Sequence, residues 1–214
     1  MNDYIIAIFC ILLGYSIGTI NPAFFIGKIK GFDIRDRGSK NAGASNAMIL
    51  LGKSIGIFCA LFDIFKAVLA IELARRVIFP AFRLACALTG TACVLGHMFP
   101  FYMKFKGGKG TASLGGMILA LNWKLFLIML GATIVIVLLT DYLCFMPVTA
   151  SVAFPVIYGI FAWDLWGALI IGLITVAVLI KNIANFKRIL SGTELRISYL
   201  WKKDKEIDRI SKNM

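Results

Sequence analysis

Long apolar runs separated by short polar stretches dominate this chain. Seven runs stand out, at 4–26, 54–73, 83–102, 111–122, 124–140, 144–161 and 164–183. An α-helix needs about 20 apolar residues to cross the hydrocarbon core of a bilayer. The pattern therefore predicts an all-α polytopic membrane protein with about seven transmembrane helices. The run 111–122 is short and contains glycine. It is expected as a half-helix or re-entrant segment, which is tolerated where protein or a water-filled cavity surrounds it. A count of five or six spans would need a different assignment around 103–124. No basic segment and no small-residue cleavage site precedes Tyr4, so the first run reads as a retained helix rather than a signal peptide. Gly14 and Gly18 form a small-x-x-x-small pair, expected to let helices approach closely inside the bundle rather than to seam a dimer. No internal repeat is evident.

Composition agrees. Apolar residues make up 60% of the 214 and charged residues 16%, against about 45–50% and 25% in soluble domains. Mean hydropathy is +0.87. These values exclude a soluble globule, a disordered tail and a collagen-like fibre. Cys10, Cys59, Cys86, Cys93 and Cys144 mostly lie in apolar runs without a C-x-x-C or Cys/His spacing, and read as apolar filler.

The net charge of +12, from 23 basic and 11 acidic residues, would suggest nucleic acid in a soluble protein. In a membrane protein it marks sidedness. With seven spans and the N-terminus outside, 18 basic residues fall inside, nine of them from Lys181 onward, and 4 fall outside. The expected topology is N-out/C-in, in the bacterial cytoplasmic (inner) membrane, with no nucleic-acid partner. The domain reading is one transmembrane unit over 1–194 and a basic cytoplasmic tail over 195–214. The tail is expected to lie as a helix on the membrane surface, with Trp201 at head-group depth.

Three stretches on the predicted cytoplasmic side do not look like scaffold. Arg35-Asp-Arg-Gly-Ser-Lys-Asn-Ala-Gly-Ala-Ser-Asn46 joins glycines to short hydrogen-bonding side chains. That suits an anion held by backbone N–H groups and hydroxyls, or equally a polar connecting turn. Gly96-His97-Met-Phe-Pro100 leads to Phe105-Lys106-Gly-Gly-Lys-Gly-Thr111. There two lysines flank Gly107 and Gly108 ahead of an apolar helix, which resembles a phosphate cradle or else a basic turn against lipid head groups. It is not a Walker A motif, because residue 103 is Met and residue 110 is Gly, so no nucleotide is implied. Asn182 and Asn185 share a helix face at i and i+3, ahead of Arg188 and Glu194. His97 is the sole histidine, which leaves no His pair for a metal; it reads as a structural hydrogen-bonder or a general base. Asp63 and Lys66, mid-span at i and i+3, are expected to pair inside the bundle.

Together these stretches resemble the bacterial acyl-phosphate:glycerol-3-phosphate acyltransferase family. The collinear match takes in Gly38-Ser-Lys-Asn-Ala-Gly-Ala-Ser-Asn46, Leu51-Gly-Lys53, Asp63 with Lys66, Val94-Leu-Gly-His-Met-Phe-Pro100, Phe105-Lys-Gly-Gly-Lys-Gly110, and Asn185-x-x-Arg188 with Gly192-Thr-Glu194. It spans about residues 14–194. The resemblance implies a seven-helix fold with a cytoplasmic active site. It implies acyl transfer from an acyl-phosphate to glycerol-3-phosphate, giving lysophosphatidic acid for phospholipid synthesis, with membrane lipids around the chain and no cofactor, metal or acyl-CoA. It puts Ser39, Lys106, Lys109 and Asn185 in catalytic roles. Substrate binding falls to Lys40, Asn41, Gly43, Ser45, Asn46, His97, Gly107, Gly108, Asn182 and Arg188. An unperturbed lysine stays protonated near pH 7, so Lys106 and Lys109 are expected as electrostatic stabilisers.

The chain also departs from the family pattern. Ile49 stands where the family usually has Arg, Asn182 where it has His, Lys40 where it has Gly, and Cys144 and Pro147 where serines are common. These changes remove a bidentate donor and an imidazole. They keep open a diverged enzyme with another acceptor, and a non-catalytic lipid- or anion-binding protein. A transporter is a further reading, from Asp63/Lys66 and the broken run 111–122. If the three stretches converge at one cytoplasmic pocket the enzyme readings gain; if they line a path through the bundle the transporter gains.

Overall fold

In the computed structural model, which describes residues 2–200, the first apolar run is two helices rather than one. α1 (Asp3–Thr19) stops at Ile20, and α2 (Pro22–Ile29) starts after Asn21. The Asn21 side chain accepts the Phe24 N–H at 2.9 Å and Pro22 takes the first helical position, where a missing N–H costs nothing. There follow α3 (Ala44–Leu51), α4 (Lys53–Glu72, continued by a π-helical turn, Leu73–Ile78), α5 (Ala85–Met98), α6 (Thr111–Leu121), α7 (Trp123–Thr140), α8 (Phe145–Ala162) and α9 (Leu165–Leu190). Among the described residues the chain has no strand.

Five helical stretches are long and apolar enough to cross a membrane: Asp3–Ile29, Lys53–Ile78, Trp123–Thr140, Phe145–Ala162 and Leu165–Leu190. The two other expected spans are shorter than their apolar runs. The run 83–102 yields α5, with 14 residues, and 111–122 yields α6, with 11. α5 ends at Phe99 because Pro100 cannot continue it. Both short helices lie inside the bundle: most of α5 is buried, and so are Ser113, Leu114, Gly116, Met117 and Ile118 of α6. Protein therefore encloses most of both helices. On the outside, Phe58, Leu61, Phe65, Leu127, Leu138, Val156, Leu173 and Val176 are all exposed. An apolar exterior of that extent belongs in lipid, and the chain is a multi-pass membrane protein.

Lipid tails are as apolar as leucine, so helices in a bilayer associate through close packing and polar contacts. α1 meets α5 through glycines. A Cβ on Gly14 or Gly18 would collide with the Thr89 or Cys93 carbonyl oxygen, and one on Gly96 with that of Tyr15. The Gly14/Gly18 pair thus serves a contact within the chain. α6 approaches α4 through Gly116, against the Ile64 backbone. Ile71, Val94, Met98, Leu114, Met117, Phe154, Ile171, Ile174 and Val178 fill the centre among α4, α5, α6, α8 and α9.

A charged cluster interrupts this packing. Asp63 and Lys66 are both at most 3% exposed, and Lys66 Nζ lies 2.7 Å from Asp63 Oδ1. Lys66 also donates to the Ile20 carbonyl at 2.7 Å, the group freed where α1 breaks, and lies 3.1 Å from His97 Nδ1. His97 Nδ1 is 3.2 Å from Asp63 Oδ1. The expected pair is therefore a triad, with His97 as its third member.

After α9 the chain turns back. Ser198 donates its N–H and hydroxyl to the Asp141 carboxylate at 2.8 and 2.7 Å, and Ile197 N–H donates to the Asp141 carbonyl at 2.9 Å. This seats the start of the tail on the α7–α8 turn. The expected surface helix and the depth of Trp201 lie outside the described residues.

Removing one member of a buried ion pair leaves an uncompensated charge at a cost of about 3–5 kcal/mol. Lys66→Ala should therefore lower the thermal midpoint in detergent more than the double change Asp63→Leu, Lys66→Leu. Equal losses would mean that water screens both groups.

Candidate functional site

The loop after α2 is held by two asparagines. Asn21 donates to the Ala42 carbonyl at 2.8 Å. Asn46, wholly buried at the start of α3, accepts the Ser39 N–H at 2.8 Å and donates to the Ile34 and Arg37 carbonyls at 2.8 and 3.1 Å. Gly38, at φ +61°, leaves room for that amide, which a Cβ there would strike. The binding role expected for Asn46 thus meets a side chain whose amide is already occupied by its own loop. Ser39 and Lys40 stand exposed at the loop apex, Lys40 with φ +54°. Asn41 is half-buried beside Gly43. Ser45 and Ile49, at i and i+4, are both exposed on one side of α3.

Arg35 ties this loop to the next. Asp33 receives Arg35 Nε and Nη2 at 2.9 and 2.7 Å, while Arg35 Nη1 donates to the Met103 carbonyl at 2.5 Å and reaches that of Lys106 at 3.4 Å. These hydrogen bonds hold the Asp33 carboxyl far below the usual carboxylate range. In the second loop, Gly107 and Gly108 donate to the Met98 and His97 carbonyls, each at 3.1 Å. A Cβ on Gly107 would strike the His97 carbonyl, and one on Gly108 the His97 ring. Both glycines are therefore required by the buried triad beneath them. Lys104 and Phe105 adopt left-handed backbone conformations, φ +53° and +58°, a strain typical of functional loops. Lys106 is exposed.

Lys109 turns inward. Its Nζ donates to Asn185 Oδ1 at 2.8 Å, linking the second loop to α9. Asn185 Nδ2 donates to Glu194 Oε1 at 2.6 Å, and Arg188 Nε pairs with Glu194 Oε2 at 2.6 Å. No carboxylate among the described residues lies within ion-pair distance of Lys109. Burial pushes its pKa down, and attraction to Glu194 partly restores it. Gly110, φ +84°, then opens α6 with no side-chain cap, so the first N–H groups of α6 have no side-chain acceptor. An inward lysine beside an uncapped helix N-terminus is suited to an anion. Asn182, wholly buried on α9, donates to the Val178 carbonyl at 2.9 Å and leaves Oδ1 without a partner.

An apolar groove starts beside this point. Thr111, Phe126, Met129, Met146 and Pro147 line it between α6, α7 and α8. A larger hollow of about 610 Å³, lined by Asp3, Ile6, Phe79, Arg83 and Trp166, lies by the N-terminal end of α1, away from the glycine loops. Its one arginine is paired to Asp164 at 2.7 Å, and none of the three polar stretches lines it.

All three stretches thus meet at one end of the bundle, joined by Arg35 and by the Lys109–Asn185 bond. Sequence reasoning missed Asn21, whose signal was the Asn-Pro pair inside an apolar run. It also missed the tie between Glu194 and Asn185, and the inward setting of Lys181.

The chain matches the family profile described as glycerol-3-phosphate acyltransferase over residues 8–192. It is 38% identical over 202 residues to glycerol-3-phosphate acyltransferase 1 of Oceanobacillus iheyensis, covering 90% of this chain and 95% of that one. To the glycerol-3-phosphate acyltransferase of Bacillus subtilis it is 36% identical over 191 residues, covering 89% and 97%. Among solved structures it is similar to PlsY, an integral membrane glycerol 3-phosphate acyltransferase, in the glycerol 3-phosphate form, with TM-score 0.79, 30% identity, and coverage of 91% of this chain and 96% of that chain. The lysophosphatidic acid form gives a TM-score of 0.77.

A hydrogen bond to a charged group contributes about 1.5–3 kcal/mol. Lys109→Met is therefore expected to weaken binding of inorganic phosphate about tenfold or more, measured by titration calorimetry on the detergent-purified protein. Unchanged affinity would remove Lys109 from the anion site.

Proposed function

The chain belongs to the glycerol-3-phosphate acyltransferase family, and from that premise we propose that it moves a fatty acyl group from acyl-phosphate to glycerol-3-phosphate. A glycerol hydroxyl attacks the acyl carbonyl carbon, the bond from that carbon to the phosphate oxygen breaks, and lysophosphatidic acid and inorganic phosphate leave. The proton lost by the hydroxyl passes to a phosphate oxygen. The single observation that carries this reading is the half-buried Lys109 ammonium, with no carboxylate among the described residues within ion-pair distance, at the uncapped start of α6 beside an apolar groove. One end of that arrangement suits a phosphoryl group and the other a fatty chain.

An acyl-phosphate is already activated, so positioning and charge stabilisation supply most of the catalysis. Lys109, with Asn185 fixing its direction, stabilises charge on the phosphoryl oxygens. Ser39, Lys40, Asn41 and Lys106 reach the same anions from the loop surfaces. Gly43 allows close backbone approach, Gly107 and Gly108 seat their loop on His97, and Arg188 and Ser45 stand at the rim. Asn46 and His97 contribute by shaping the two loops. Asn182 Oδ1 accepts a hydroxyl hydrogen.

The proposed setting is the inner membrane. α5 and α6 complete seven spans, N-out/C-in, with the site on the cytoplasmic side and the basic tail after Glu194 beside it. The basic-residue distribution supports this. Reporter fusions at the two termini should give periplasmic signal at the N-terminus and cytoplasmic signal at the C-terminus; both on one side would exclude an odd span count.

A second reading, the same reaction on another phosphorylated or polyol acceptor, is favoured by Ile49 on the exposed face of α3 and by the orphan oxygen of Asn182. Purified protein supplied with acyl-phosphate and glycerol-3-phosphate should release phosphate and form lysophosphatidic acid. Ile49→Arg with Asn182→His should raise kcat/KM for glycerol-3-phosphate several-fold. Equal activity in both forms would make those departures silent. Activity only with another acceptor would favour the second reading, and none in either form a non-catalytic binding protein.

A further inference from the structure

Lys181 enters the sequence only as one of the basic residues around the end of the last apolar run, and its surroundings assign it more. It stands on α9 one turn before Asn185, and residues at i and i+4 share a helix face. A lysine near the end of a membrane helix ordinarily reaches outward to lipid head groups. This one is half-buried and turned inward, with its ammonium 4.6 Å from the centroid of the Phe99 ring. It also lies close enough to His97 to act on that ring electrostatically. Phe99 leads from α5 into the glycine loop, and His97 packs directly beneath Gly108. Lys181 therefore faces the glycine loop from the α5 side, while Lys109 reaches α9 at Asn185.

No carboxylate among the described residues lies within ion-pair distance of Lys181. The aromatic face offsets part of its charge but accepts no hydrogen bond of ordinary strength. Adjacent positions of α9 thus carry, among the described residues, a cation with no carboxylate within ion-pair distance, Lys181, and a buried oxygen with no donor, Asn182 Oδ1. The second cation without a carboxylate, Lys109, closes the same face. One class of ligand satisfies all three: a phosphorylated molecule that also carries a hydroxyl donor.

We propose that Lys181 is a second phosphate-binding residue of this site, its ammonium taking an oxygen of a substrate phosphoryl group on the α5 side of the glycine loop. The inference rests on the acyltransferase reading above. The shared chemistry is a phosphoryl dianion, borne by both the acyl donor and the glycerol acceptor. One lysine on α9 and one from the glycine loop that meets α9 at Asn185 allow the phosphoryl groups of donor and acceptor to be held at once, as acyl transfer from one molecule to the other requires.

The test uses the full chain in detergent, comparing Lys181→Met, which keeps most of the stem and loses the charge, with Lys181→Arg, which keeps the charge. Each substrate is varied in turn at saturating levels of the other. Lys181→Met is expected to raise KM for one phosphorylated substrate about tenfold with a smaller change in kcat, and Lys181→Arg to recover most of the loss. A rise for glycerol-3-phosphate assigns Lys181 to the acceptor; a rise for acyl-phosphate assigns it to the donor. Unchanged KM for both overturns the proposal, as does a lowered thermal midpoint with KM unaltered, which would make Lys181 structural. If Lys181→Met does not fold, Lys181→Gln is read in the same way. If the wild-type protein transfers no acyl group, the acyltransferase reading fails on its own. Calorimetric binding of inorganic phosphate then decides for Lys181: weaker in Lys181→Met supports it, equal overturns it.

Discussion

A charge buried inside a membrane bundle has to be answered by protein, and the answer given to Lys66 organises this molecule. Its ammonium meets Asp63 from its own helix, His97 from α5 and the Ile20 carbonyl from the end of α1. Three separate elements are thereby fixed around one point. The Ile20 contact stabilises the break between α1 and α2, which would otherwise leave a carbonyl unsatisfied in an apolar setting. The His97 contact holds the ring on which Gly108 lies. The glycine loop is thus seated on a charged foundation rather than on greasy packing alone. A foundation of this kind has directional contacts and resists sliding, whereas apolar packing in lipid tolerates repacking.

The break in α1 has a second consequence. Asn21, released from the helix, caps α2 with its oxygen and reaches the Ala42 carbonyl with its nitrogen. Asn46 clamps the same loop from the other side. Arg35 then joins this loop to the one after α5. Lys66 bonds Ile20, the neighbouring Asn21 bonds Ala42, and Asn46 holds Ser39, so polar contacts anchor this loop both towards the bundle interior and near its exposed apex. The close glycine contacts of α1 with α5 keep the two helices in register, because side chains at Gly14 or Gly18 would force them apart.

Much of the fold was legible because hydropathy is the strongest signal in such a chain, and the centres of all seven apolar runs are helical. Their ends were less legible. The run 83–102 overran α5, since Phe99, Phe101 and Tyr102 are apolar enough to extend it while Pro100 stops the helix. The run 4–26 hid the Asn21-Pro22 break because two residues hardly lower the mean hydropathy of a long window. In the candidate site, spacing singled out the glycine loops and Asn185, and the structure brings Asn185 to the second loop through its bond with Lys109. Asn46 was read as a ligand because an amide beside glycines looks alike whether it serves a substrate or its own loop. Lys181 passed as a topological marker, for no one-dimensional pattern shows that a lysine bends over an aromatic ring from another helix.

The same contrast bears on how the departures from the family pattern are accommodated. Ile49 lies 63% exposed on α3, so an arginine there would act from the outer surface of that helix rather than from within the bundle. In the proposed site Lys109 and Lys181 would act from half-buried positions with no carboxylate within ion-pair distance among the described residues, where a cation's attraction for a phosphoryl group is screened far less. Removing charge at the rim while keeping it within weakens long-range capture of the anion more than its stabilisation once bound. The Asn182 amide, donating to Val178, likewise presents an oxygen where an imidazole would present either a donor or an acceptor. A hydroxyl-bearing ligand suits that oxygen at any pH, because an amide does not titrate. In the site proposed above, recognition would rest on fixed dipoles and interior cations, with the proton of the attacking hydroxyl left to the phosphate itself.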